Sequence, residues 1–174
     1  MIMRSRHSIL ASLSFALLFA ATAPIHSQVD TPPAAKPDFT GTWKLNLPQS
    51  QFSPAPQPSA QTEIITLTGD DLTIDYSSDA EDGKQKFLYT LKLGGTEVPM
   101  PKPILNQTPL VPISLKAEWR GNAIVVTEKI TYQGGAGVIV STYTLSADGK
   151  TLTKSMLASV EQGDFDLKAV YDKA

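Results

Sequence analysis

Two charged residues stand where the pattern around them asks for apolar ones. Glu128 shares a face with Ile124, Val126, Ile130 and Tyr132, and Lys154 shares one with Leu152, Met156 and Ala158. A charge on an inward face must be paired or solvated. Pointing inward, the two project into a partly wet cavity and can orient the polar head of a ligand. The alternative is a bulge or register shift that turns them outward. Val125-Val126 leaves the facing ambiguous, and the residues weigh towards this alternative.

Other reactive chemistry is scarce. The chain has no cysteine, so it has no thiol nucleophile, disulfide or lipid-modified Cys. Both histidines, His7 and His26, fall in a leader-like segment, and its removal takes away Ser-His-Asp and Cys-His catalysis and the usual zinc ligand sets. The acids Asp70, Asp71, Asp79, Glu81, Asp82, Asp148 and Asp164 sit at turns, where local turn chemistry accounts for them. No loop has the spacing of a calcium-binding EF-hand. The residues thus predict no catalytic group, no metal and no cofactor. The aromatic residues Tyr76, Tyr89, Trp119, Tyr132 and Tyr143 are core or cavity lining, with core the weightier reading for most. The candidate ligand-binding set is Tyr76, Tyr89, Trp119, Glu128, Tyr132, Lys154 and Tyr171.

The elements that must position this set read as strands. Runs of alternation at Thr40–Leu47, Thr62–Thr68, Leu72–Tyr76, Gln85–Leu93, Ile113–Trp119, Ala123–Tyr132, Val138–Ser146, Thr151–Ser159 and Phe165–Asp172 are separated by Gly, Asp and Asn turn signals. Most intervals hold one strand of about eight residues and a tight turn, too little for a crossover helix. Neighbouring runs therefore pair antiparallel, as an up-and-down meander of about nine strands, within a range of about eight to ten. Single-face alternation packs one side and wets the other. Closure into a small all-β barrel removes the sheet edges.

Two segments break the rhythm. Pro48 to Ala60 carries four prolines and cannot form a helical lid. Val98 to Pro112 carries five, spread among Met100, Ile104, Leu105, Leu110 and Val111. It fits an apolar loop at a barrel mouth and a loop folded back over the wall equally well.

The start of the chain reads as a secretory signal peptide, residues 1–27. Arg4, Arg6 and His7 precede the short apolar run Ser8 to Ala23, with cleavage after Ala23 or Ser27. A retained membrane anchor is the alternative, but a spanning helix needs roughly 20 apolar residues. Residues 28–38 form a Pro-rich linker, and 39–174 the barrel domain. Removing Arg4 and Arg6 from 15 basic residues, against 17 acidic ones, takes the formal charge from −2 to −4. That balance argues against a nucleic-acid partner. The expected location is periplasmic or extracellular.

Phe39, Gly41, Trp43 and Leu45 stand on alternate positions at the head of this meander. The pattern resembles the first-strand signature of the calycin group, lipocalins and fatty-acid-binding proteins. There the Gly lets the backbone pass beneath a bulky neighbour and the Trp fills the tapered barrel end. Leu167 to Ala174 is similar to the closing strand of fatty-acid-binding proteins, and the opening through Ser50 and Phe52 resembles exported bacterial proteins. The resemblance implies a barrel that holds a small apolar or amphipathic ligand without chemistry, with Gly41 and Trp43 structural. Three departures matter. Fatty-acid-binding proteins grip a carboxylate with Arg-x-Tyr on the last strand, where this chain has Ala169-x-Tyr171. They follow the first strand with a helical pair, where this chain has Pro48 to Ala60. Lipocalins cover the Trp with a late Arg, a place that Lys168 or Lys173 would have to take. The rival reading is an envelope protein-interaction module with a filled barrel. An outer-membrane barrel ranks low, because the outward faces carry Thr, Lys, Asp and Glu.

Overall fold

Alternation becomes strand almost throughout residues 41–173. The structure is a computed structural model and describes residues 35–174; the signal peptide and most of the linker expected from the sequence lie outside the described residues. The strands are β1 (Gly41–Leu45), β2 (Pro58–Thr68), β3 (Asp71–Ala80), β4 (Gly83–Lys92), β5 (Val98–Pro99), β6 (Leu105–Asn106), β7 (Leu110–Arg120), β8 (Ala123–Tyr132), β9 (Gly135–Leu145), β10 (Thr151–Val160) and β11 (Gly163–Lys173). Each long run expected from the sequence is present, in the expected order. The additions are β5 and β6, two residues each.

All eleven form one sheet in the order β5-β7-β8-β9-β10-β11-β1-β2-β3-β4-β6, every pair antiparallel. Sequence neighbours are sheet neighbours from β1 to β4 and from β7 to β11; β1 also joins β11, which brings the first and last strands together, while β5 and β6 pair with β7 and β4. The sheet rolls until its ends meet. Leu93 on the β4 side bridges Ala117 of β7, and the Gly95 amide donates to the Ala117 carbonyl at 2.8 Å. The remainder of the seam is filled by β5 lying on β7 and β6 lying on β4. The Pro-rich segment is therefore part of the wall itself, neither a free mouth loop nor a flap over the outside. Its prolines lack the N–H a long ladder needs, which confines residues 98–109 to two-residue pairings, while Leu110 to Pro112 open β7.

The segment after β1 likewise has no helical pair. Leu47–Gln49 makes one 3₁₀ turn, and Gln51 exchanges two main-chain hydrogen bonds with Lys168 of β11, at 2.7 and 2.8 Å. A strap from Phe52 to Gln57 then leads into β2, which begins at Pro58, earlier than the sequence pattern predicts.

One end of the barrel is plugged. Phe39 and Trp43 are fully buried, and the Trp43 indole N–H donates to the Phe39 carbonyl at 2.9 Å. Lys173 sits over the Trp43 ring, its Nζ 5.2 Å from the centroid, so Lys173 rather than Lys168 takes the covering cation's place. Gly41 has φ +154°, and a Cβ there would meet the Lys173 Cε at 2.8 Å. The Gly-x-Trp pattern thus works through the Lys173 side chain as well as through the backbone.

Candidate functional site

The inward faces of the strands enclose a cavity of about 490 Å³ at the end opposite Trp43. Phe87, Ile130, Met156 and Leu167 give it a largely apolar lining, and Met100 reaches in from the seam. Phe52 and Pro54 of the strap lie over its mouth, Phe52 only 9% exposed. Ser50 anchors that strap: its hydroxyl donates to the Asn46 carbonyl at 2.8 Å and accepts from the Val170 amide at 2.9 Å.

The polar side of the lining grows from strand register. Lys154 of β10 stands directly across from Tyr143 of β9 and from Ala169 of β11. Glu128 of β8 pairs with Ile139 of β9, which puts it diagonal to Ser141, while Ser141 pairs with Met156 of β10. No register shift interrupts these ladders. The one irregularity in β8's pairings lies on its β7 side, between Pro112 and Ser114. Both charges therefore face the interior, and the outward-turning bulge weighed from the sequence is absent from these strands.

At the inner end of the cavity Lys154 meets Glu63 of β2. Its Nζ donates to Glu63 Oε1 at 2.9 Å, and the Tyr171 hydroxyl donates to the same oxygen at 3.0 Å. Glu63 is 0% exposed and Lys154 6%. The ammonium also lies 5.1 Å from the Tyr143 ring and 5.5 Å from the Tyr76 ring. Burial alone would lower the Lys154 pKa, but Glu63 and then Tyr171 outweigh it and hold it well above the ordinary lysine value. Burial raises Glu128 above the ordinary glutamate value, with Glu63 adding to the rise and Lys154 opposing it. The hydroxyls of Tyr89, Tyr143 and Tyr171 are pushed well up by the same loss of solvent. Three buried polar atoms make no hydrogen bond within the described protein: Glu63 Oε2, Ser141 Oγ and Tyr143 Oη.

Of the residues expected to bind ligand, Tyr76, Tyr89, Glu128, Tyr132 and Lys154 line this cavity. Tyr171 lies just beyond the lining, with its hydroxyl on Glu63. Trp119 is elsewhere. It packs against Phe39 at the plugged end, with ring centroids 6.0 Å apart, and Lys36 lies over it while donating to the Gly121 carbonyl at 2.7 Å. Glu63 was not among the expected residues. Its signal was present, since Gln61, Glu63, Ile65 and Leu67 alternate, but the Ile64-Ile65 doublet hid which face turns inward. Among the described residues no cluster of three or more His, Cys, Asp or Glu could hold a metal ion. No helix among them is long and apolar enough to cross a membrane.

No protein-family model matches the sequence, and no curated protein does either. Solved structures do match. A secretary abundant heat soluble (SAHS) protein from Ramazzottius varieornatus is 18% identical, with a TM-score of 0.54 over 82% of this chain and 98% of its own. Zebrafish ileal bile acid-binding protein, complexed with cholic acid, is 17% identical, with a TM-score of 0.50 over 78% of this chain and 98% of its own. At these identities the likeness concerns architecture: the chain has the calycin-type barrel that its first strand resembles.

Proposed function

We propose that this protein is an exported, non-enzymatic carrier that holds one small apolar or amphipathic molecule inside its barrel. The observation that carries this reading is the cavity of about 490 Å³, mostly apolar, with Glu128 and Lys154 on one side of its wall. Ligand sites of small molecules fall in the range of about 300–1,000 Å³ and combine an apolar lining with few placed polar groups. Barrels of about eight strands are wide enough for one such guest. A similar barrel, the zebrafish protein, is complexed with cholic acid, which supports a guest of small-molecule size here. An open cavity also favours this reading over a filled barrel that serves only as an interaction module. Export belongs to the same proposal and rests on the leader-like residues 1–27.

The test is native mass spectrometry of protein purified from its host, with solvent extraction of the same sample and uptake of the neutral dye Nile red by the emptied protein. A stoichiometric small molecule, or saturable dye uptake at one site, is expected. Protein that carries nothing and takes up nothing overturns the carrier reading. N-terminal sequencing of the protein purified from its host, with fractionation of the cells, is expected to begin after Ala23 or Ser27 outside the cytoplasm, and an intact Met1 start in the cytoplasmic fraction would remove the export claim.

A further inference from the structure

We propose that the cavity prefers an amphipathic ligand whose head carries hydrogen-bond donors, an alcohol or an amine, over one that ends in a carboxylate. This rests on the carrier reading above and names the ligand class of that same site. The first ground is the state of the cation. Lys154 is the one Lys or Arg among the described residues that line the cavity, and Glu63 already neutralises it at 2.9 Å. A carboxylate entering the cavity would have to compete with a buried carboxylate that is also held by Tyr171. Such a swap leaves Glu63 buried without its counter-charge, which is costly.

The second ground is what remains unsatisfied. Ser141 is 1% exposed and belongs to the lining, and its Oγ has no hydrogen-bond partner among the described residues. Diagonal to it on the neighbouring strand stands Glu128, whose carboxyl faces the same space. Together they set a hydroxyl and a carboxyl on an otherwise apolar wall: an alcohol head can donate to Glu128 while accepting from Ser141, and an amine can donate to both, where an ionised Glu128 repels an anionic head. The third ground is the mouth. The strand ends that border it carry Glu81 and Asp82 between β3 and β4, Glu161 between β10 and β11, and Asp164 at the start of β11; Asp82 itself lines the entrance. Lys84 beside them is bound to Asp79. A rim of this sign disfavours the approach of anions.

The experiment is displacement of Nile red from the full mature chain at neutral pH by decan-1-ol, decylamine and decanoate, each below its micellar concentration. The alcohol or the amine is expected to displace dye at a concentration about tenfold or more below that needed for decanoate. Either order between alcohol and amine supports the donor preference and reports whether Glu128 is charged. Decanoate binding as well as both others, or better, overturns the preference and leaves the carrier reading standing. If Nile red and all three probes fail to bind, the carrier reading falls first. In Glu128→Gln the gap between decylamine and decanoate is expected to narrow by about tenfold; an unchanged gap overturns the role of Glu128. Should that variant not fold, Ser141→Ala removes only an unbonded hydroxyl. It is expected to weaken the alcohol and leave decanoate unchanged, and equal binding of the alcohol by both proteins counts against the proposal.

Discussion

Lys154 and Glu63 are 91 residues apart in sequence and meet at 2.9 Å, both shielded from water. Either charge alone in that place would be uncompensated. Glu63→Gln and Lys154→Met are each expected to cost about 3–5 kcal/mol of unfolding free energy. The double variant removes both charges at once, so its cost is expected to fall short of additivity by about 1–3 kcal/mol. Urea unfolding of the four proteins measures this, and strict additivity would mean that the two groups do not stabilise one another.

Tyr171 completes the pair. Its hydroxyl is the second donor to Glu63 Oε1, while Glu63 Oε2 has no partner among the described residues. Removing the donor leaves a buried carboxylate with one hydrogen bond fewer. Tyr171→Phe is expected to lose about 1–3 kcal/mol in the same unfolding assay. Tyr132→Phe, at the wetter mouth of the cavity, is the control and is expected to stay within about 0.5 kcal/mol of the parent.

These relationships show where sequence reasoning reached and where it stopped. The meander, the plugged end and the inward period were legible because every long strand carries a period-two pattern ended by its own turn residues. Val98 to Pro112 was not, since its place in the wall comes from a gap between β4 and β7 that only the closed sheet defines. Glu128 and Lys154 were visible as charges on apolar faces, yet the partner that keeps Lys154 inside lies on β2, across β11 and β1 from β10. Ala169 shows the same limit. Read alone, it marks a missing cation; in the folded sheet its cross-strand neighbour is Lys154. The chemistry of Trp119 alone groups it with the ligand residues, although its position next to the Arg120-Gly121 turn puts it at the plugged end.

Glu128 gives the protein a pH signature. Its carboxyl binds a proton more tightly folded than unfolded, because burial raises its pKa. That contribution to stability is complete below the unfolded value and is lost as pH rises through the folded one. Asp38, Glu97 and Asp148, held low by hydrogen bonds, contribute in the opposite sense and lose stability as pH falls. The difference between Glu128→Gln and the parent isolates the first effect. The variant's Tm relative to the parent is expected to rise between about pH 4 and about pH 7. A difference independent of pH would show that Glu128 titrates as an exposed acid.

At the plugged end, Gly41 and Lys173 act through one contact. Alanine at position 41 would adopt a left-handed φ and push the Lys173 Cε from its place over Trp43. Gly41→Ala is expected to cost about 1–3 kcal/mol, and Lys173→Met about 0.5–1 kcal/mol for the lost cation–π contact. Because the first change already displaces the lysine, adding the second is expected to cost less than it does alone. Thermal unfolding of the three variants decides this, and full additivity would separate the Gly from the Lys.

The mouth offers a kinetic prediction. If the cavity holds a guest as proposed, the expected route runs past the Phe52 to Gln57 strap, which Ser50 and the Gln51–Lys168 pairing tie to the last strand. Phe52 supplies the apolar side of that cover, yet Lys154, Glu63 and Glu128 do not depend on it. Phe52→Ala should therefore speed release while leaving the polar wall intact. Dye dissociation measured by stopped flow is expected to accelerate by about tenfold, with association changing less. Ser50→Ala, which frees the strap without removing its apolar cover, is expected to accelerate both directions. Release that is unchanged in both variants would place the route elsewhere, along the seam where β5 and β6 replace a full strand.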